Sequence, residues 1–210
     1  MNPSERIALW ADTLRDLSAQ GLQYAQNVYD RDRYRAIQDL MIEMLAYATA
    51  QPTETYHPLR TTVFSRPSPV VAGTAAVIND QGAILLMRRS DTAEWVMPGG
   101  MTEVGETPAE AVIREAHEET GVRCEALLLV GVYDSRRWDT NTSQQIYKFT
   151  FLCRPLNADS PDLPSHQHEA LEIAWFPETE LPDDLYVGHR RRIADAFAAW
   201  RGETTAFFDR

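Results

Sequence analysis

Apolar residues recur along the first fifty positions with helical spacing. Ile7, Trp10, Leu14 and Leu17 fall on one stripe, Ser4 can cap its start and Gly21 stands past its end, which predicts a helix over 4–20. After a connection containing Asn27 and Asp30, a second stripe of Tyr34, Ile37, Met41, Met44 and Ala48, widened by Leu40 and Leu45, predicts a helix over 32–50. Two antiparallel helices of this length cannot bury both of their faces alone. They are expected to pack on the rest of the chain or on a second copy, and a homodimer is the expected assembly. Residues 51–69 hold four prolines and no clean period, so they read as a partly extended linker.

From Val70 the pattern changes to strands. Residues 70–78 are β-branched and small, Asn79-Asp80-Gln81-Gly82 reads as a hairpin turn, and 83–87 return as the partner strand. Thr107-Pro108-Ala109-Glu110 is a helix start with a capping threonine, a proline at the first helical position and a glutamate that closes a capping box. Gly121 is placed to end that helix, which is therefore predicted over 108–120. Strands follow over 125–133, 145–153 and 171–176, separated by polar loops at 134–144 and 155–167, and a last helix spans 186–200. The final ten residues are expected to fray or lie on the surface. The organisation predicted is a helical extension over 1–50, the linker over 51–69 and an α/β domain over 70–210.

Charge narrows the class of partner. The net charge of −11 disfavours a nucleic-acid backbone, which needs a lysine and arginine footprint. It leaves room for a small phosphorylated substrate, because a bound cation inverts the local field. No run approaches a membrane span of roughly 20 apolar residues, and the N-terminus lacks a signal peptide's apolar centre. The expectation is a cytoplasmic protein. Cys124 and Cys153 stand far apart without metal or redox spacing and are expected as reduced, part-buried thiols.

The chemistry concentrates in Gly100–Val122. Glu115, Glu118 and Glu119 stand at i, i+3 and i+4 of the predicted helix and so share one face. Three such carboxylates repel one another unless a hard divalent cation with oxygen ligands joins them. Taken alone, the cluster reads equally well as a solvated acidic face. Its neighbours shift the balance toward a metal site. Arg114 and Glu106 can pair and fix the preceding loop against the helix, and Gly100 offers a main-chain oxygen at the loop's entrance.

This stretch resembles the Nudix box, G-x5-E-x7-R-E-U-x-E-E-x-G-U with U apolar. Gly100, Glu106, Arg114, Glu115, Glu118, Glu119 and Gly121 match every fixed position, and Ala116 and Val122 take the apolar ones. The resemblance implies a Nudix-type α/β/α sandwich with a mixed β-sheet, preceded here by a two-helix N-terminal extension. It implies hydrolysis of a nucleoside diphosphate linked to another moiety, with Mg2+ or Mn2+. By residue match, Glu115, Glu118, Glu119 and the Gly100 carbonyl are the implied metal ligands, and Arg114 and Glu106 hold the loop-helix geometry. The patterns around Gly21–Tyr24 and Asp30–Tyr34 resemble the extension of a subgroup that includes hydrolases of CDP-choline and ADP-ribose type.

A carboxylate must take the proton of the attacking water. The candidates are a box glutamate or Glu169, in the loop before the late strand; the resemblance implies a base that often comes from a loop outside the box, at a position that varies. Arg88, Arg89, Arg136 and Arg137 are candidate phosphate contacts, each weighed against ordinary surface charge. Trp138 is a candidate nucleobase platform, whereas Trp95 reads as core. His166 and His168 read as parts of a solvated loop, and His117 as structural. A nucleotide-sensing module without catalysis and an RNA 5′-end pyrophosphohydrolase are the competing readings. The complete box counts against the first and the acidic charge against the second.

Overall fold

In the computed structural model, which describes residues 2–62, 70–138, 146–203 and 205–210, the chain forms two units. The N-terminal unit, which takes in Glu103–Gly105, is built on α1 (Pro3–Tyr24) and α2 (Val28–Thr49). Ala11, Met41 and Ile42 form its buried centre, with Leu14, Met44, Leu45, Tyr56 and Leu59 packed against them. Both helices are longer than their apolar stripes. Asn2, not Ser4, caps α1 in a reciprocal box with Glu5, and Asn27 caps α2 by accepting from the Asp30 N–H at 2.9 Å. Gly21 lies inside α1 and does not end it. A Cβ there would collide with the Tyr34 ring of α2, so this glycine serves close helix approach. The expected linker is partly helical, with a turn at Thr53–Thr55 and α3 at Leu59–Thr62; residues 63–69 lie outside the described set.

The second unit holds two sheets. The larger has the order β4 (Gly99–Met101), β1 (Val70–Val77), β6 (Ile146–Pro155), β5 (Cys124–Asp134), β8 (Phe207–Phe208). It is mixed: β1 runs parallel to β6 and antiparallel to β4, and β5 is antiparallel to β6. The smaller sheet has the order β3 (Trp95–Val96), β2 (Ala83–Arg89), β7 (Ala170–Pro177).

The predicted hairpin is corrected here. Asn79 does make the turn, accepting the Gly82 N–H at its carbonyl and the Gln81 and Ala83 N–H groups at its side chain. Yet a single bridge, Ile78 to Ile84, is all that joins the arms before they diverge into different sheets. Each arm carries an unbroken buried run, residues 73–77 and 84–87, and burial on two faces favours insertion between layers over a solvated hairpin.

Alternate residues of β1 feed two cores. Ala75 and Val77 pack with Val112 and Ala116 of α4 (Pro108–Thr120), while Ala76 packs with Ile193, Ala196 and Phe197 of α6 (Val187–Trp200). That places a helix on each side, the α/β/α arrangement expected. Cys124 and Cys153 are free and buried in the α4-side core. The described residues of the tail lie on the surface, as expected, but are paired rather than frayed. Phe207 and Phe208 pair with Gly131 and Val132, and Asp209 accepts from the Asp134 N–H and the Trp138 indole. No described helix is long and apolar enough to cross a membrane.

Candidate active site

α4 begins as its sequence dictates. Thr107 accepts from the Glu110 N–H at 3.2 Å, and Glu110 accepts from the Thr107 N–H at 2.8 Å. That Thr107 N–H bond and a second from the Thr107 hydroxyl, at 2.9 Å, pull the Glu110 carboxyl below its usual range. The helix lies close on β1, because a Cβ at Gly73 would stand 2.5 Å from the Val112 side chain. Ala111, Val112 and Ala116 are the buried contact. This packing carries Glu115 and Glu119, one helical turn apart, to the β3–β4 connection.

Glu119 is 6% exposed, and its Oε2 accepts the Gly99 N–H at 2.8 Å. Burial pushes its carboxyl up to about 8; the Gly99 hydrogen bond opposes the shift, while the nearby charges of Glu115 and Glu169 add to it. Burial also raises Glu115, against the pull of Arg114. Gly100 lies directly on Glu115, where a Cβ would stand 2.5 Å from Oε1. A main-chain oxygen can therefore share space with this carboxylate only because the residue is glycine.

Arg114 ties the site together. It donates to Glu106 at 2.7 and 3.0 Å, to Glu115 at 2.9 Å, to Glu118 at 3.0 Å and to the Met101 carbonyl at 3.2 Å. The Glu106 bonds contribute most to holding its guanidinium charged. The predicted pairing of Arg114 with Glu106 is present, and the arginine reaches two of the implied ligands as well. Among the described residues, no three acidic, histidine or cysteine side chains converge as a preformed ion site. The donor chemistry nonetheless fits a hard divalent cation: carboxylate oxygens on one helical face, the innermost desolvated, beside a main-chain segment cleared of side chains.

Glu169 is brought to this cluster, since its charge acts on Glu115, Glu119 and Arg89. Its Oε1 lies 3.6 Å from His166 Nδ1, which is 3.9 Å from Glu118 Oε2. Arg89 pairs with Asp91 through two bonds and also feels Glu119 and Glu169. Arg88 donates to the Ala93 carbonyl and faces Asp184.

The other candidates stand elsewhere, on α5 (Ser135–Trp138) at the end of β5, three strands across from β4. Arg136 is held by Asp134, Arg137 is exposed, and the Trp138 indole donates to Asp209. Tyr133 is buried with its hydroxyl on Asp195. Trp95 packs edge-on against Phe176 in the core, as expected. Residues 139–145 of the polar loop lie outside the described set.

Sequence reasoning missed two supports. The Gly99 N–H is a donor to Glu119, which the paired glycines hint at. His189 is buried and accepts the Met97 N–H at 2.9 Å, bracing the β3–β4 connection that leads to Gly99; burial pushes its pKa well down, so it stays neutral. No sequence pattern marks that role.

Comparison with known proteins agrees with this geometry. Residues 67–197 match the NUDIX domain, and residues 5–59 match a UDP-X-like, N-terminal oligomerisation domain. A Bacillus subtilis protein provisionally named an ADP-ribose pyrophosphatase is 30% identical over 172 residues, covering 82% of this chain and 81% of its own length. An ADP-ribose pyrophosphatase of Methanocaldococcus jannaschii is 30% identical over 135 residues, covering 63% of this chain and 75% of its own. A crystal structure of a UDP-X diphosphatase superposes with a TM-score of 0.62 and 25% identity, covering 98% of this chain and 99% of that one. With the box complete and its carboxylates assembled on one helix, the chain belongs to the Nudix hydrolase family.

Proposed function

We propose that the protein is a divalent-metal-dependent pyrophosphohydrolase. Its substrate is a nucleoside diphosphate linked to another moiety, of the ADP-ribose or CDP-choline type. The products are a nucleoside monophosphate and a phosphorylated remainder. The observation that carries this reading is Glu119, a desolvated carboxyl whose ionisation is penalised unless a cation shares its site. The relatives named for ADP-ribose and the neighbour named for UDP-X support a diphosphate bridge between a nucleoside and a second group.

Mg2+ or Mn2+ would be held by Glu115, Glu118, Glu119 and the Gly100 carbonyl. When bound, it would neutralise the diphosphate oxygens and acidify a coordinated water. The chain's own residues do the rest. Arg114, fixed by Glu106 and the Met101 carbonyl, keeps the loop and helix in register. Glu169 is assigned as the general base, and Arg89 as the contact for a substrate phosphate at the rim of the carboxylate cluster. Trp138 and Arg136 receive no substrate role, because they stand on α5, three strands across from the β4 edge that carries Gly100.

The N-terminal hairpin is read as a homodimerising element of a cytoplasmic enzyme. Its match to an oligomerisation domain and its exposed aromatic residues support this. The test of the activity is a panel of ADP-ribose, CDP-choline, UDP-sugars, dinucleoside polyphosphates and nucleoside triphosphates with Mg2+, scored by product. Release of a nucleoside monophosphate from a linked diphosphate is expected. Turnover confined to triphosphates would overturn the reading.

A further inference from the structure

Residues 156–169 connect β6 to β7, and they are stitched along the C-terminal end of α4. The Leu156 N–H donates to the Arg123 carbonyl at 2.8 Å, and the Arg123 N–H returns a bond to Asn157 Oδ1 at 2.7 Å. Asn157 Nδ2 and the Asp162 N–H both donate to the Gly121 carbonyl, at 3.2 and 2.9 Å. The Asp162 carboxylate faces His117 Nε2 at 3.2 Å and Arg123 Nε at 3.0 Å. Nearer the site, the His166 N–H donates to the Glu118 carbonyl at 2.9 Å. That carbonyl is among those a helix end leaves without an internal partner.

Gly121 makes this possible in two ways. Its φ of 72° terminates the helix, and a Cβ there would collide with the Asp162 carbonyl oxygen. The box glycine therefore admits the connecting segment as well as ending α4.

The segment delivers Glu169. The Glu169 N–H donates to the His166 carbonyl at 3.0 Å, and its own carbonyl accepts the Ser90 N–H at 2.9 Å, one residue before Ala170 pairs with Arg89. His166 stands between the carboxylates of Glu118 and Glu169, so their facing oxygens are no farther apart than the sum of its two distances, 3.9 and 3.6 Å. Glu169 is thus located by the metal-ligand helix on one side and by β2 on the other.

We propose that Asn157 and Asp162 are positioning residues for the reaction, setting the place of Glu169 relative to α4. The proposal rests on the reading of Glu169 as general base. A base acts only within hydrogen-bond reach of the proton it takes, and a displacement of about 1 Å costs up to roughly 100-fold in rate. Neither residue is on the carboxylate face, so neither touches the substrate in this reading.

A double-mutant cycle tests it. Asn157→Ala and Asp162→Ala are each measured alone and in a Glu169→Gln background, with ADP-ribose and Mg2+. Each alone is expected to lower kcat about 10-fold with KM little changed, and to cause no further loss once Glu169 is gone. Asp162→Asn, which keeps an acceptor for Arg123, is expected to restore most of the rate. Amide exchange gives a reading independent of turnover: residues 166–169 exchange faster in Asn157→Ala while α4 is unchanged. Equal losses in both backgrounds, no loss in either, or matching loosening of α4 would each overturn the proposal. Full activity in Glu169→Gln alone would instead overturn the assignment of the base.

Discussion

α4 and the N-terminal hairpin invert the usual distribution of residue types in opposite directions. In α4 a carboxylate is inside, with Glu119 only 6% exposed. In α1 and α2 several large apolar side chains are outside, with Trp10 at 53% and Tyr47 at 79% exposed. A lone buried carboxylate and a broad exposed aromatic face each raise the free energy of the isolated chain. On the proposed function both would be relieved by something added, a cation for the first and a polypeptide surface for the second. An inversion that a fold tolerates marks where it expects company, and the sign of the inversion names the company.

The strongest way to break this comparison is to neutralise α4. Glu118→Gln or Glu119→Gln should lower turnover on the order of 10³-fold with the fold intact by circular dichroism. Near-full activity in either would remove the metal-ligand assignment.

The next effect is on stability and has a definite sign. The Glu119 carboxyl is raised from an ordinary 4.5 to about 8 in the folded chain. Stability of the metal-free protein should therefore fall as pH rises from about 4.5 to 8, by on the order of a few kcal/mol. Melting curves with Mg2+ should show the fall flattened, and Glu119→Gln should show a much smaller one, left by the raised Glu115. A metal-free melting temperature that climbs across this window would contradict the buried-carboxyl picture.

At the hairpin, Trp10→Asp or Tyr47→Asp should weaken self-association about 30-fold, the scale of one interface hot spot, with kcat unchanged. Sedimentation velocity over a concentration series reads this directly. A species unaffected by either change would detach the exposed face from assembly. The smallest effect expected is that of Trp138→Phe. With the indole N–H held by Asp209, KM should change less than about 3-fold, whereas a base-stacking tryptophan would raise it by about 10-fold or more.

Much of this was legible in residue order, for a physical reason that also sets its limit. Local rules reach local structure. Thr107, Pro108, Glu110 and Gly121 define α4 to the residue, and the i, i+3, i+4 spacing puts the acids together. The same rules cannot say which strand pairs with which. Asn79 makes its turn as its sequence requires, yet β1 finds β6 and β2 finds β7. Gly21 shows the limit: an internal glycine that admits Tyr34 looks identical, in one dimension, to one that ends a helix. Glu169 could be nominated from sequence, but its address depends on hydrogen bonds between segments far apart in the chain, His166 to Glu118 and Ser90 to Glu169.

The pairing of β1 with β6 also has a consequence for how the chain becomes a protein. Residues 70–77 reach their parallel neighbour only when 146–155 are present, and the sheet's far edge is completed by residues 207–208. Chain closure over such separations is slow, which places formation of this sheet after that of the local helices. During synthesis, α4 and its acids exist before the sheet that shelters them, so a nascent chain carries its carboxylates in water and acquires their strain last. Truncations from the C-terminal side should therefore cost folding yield well before they reach any residue of the catalytic box.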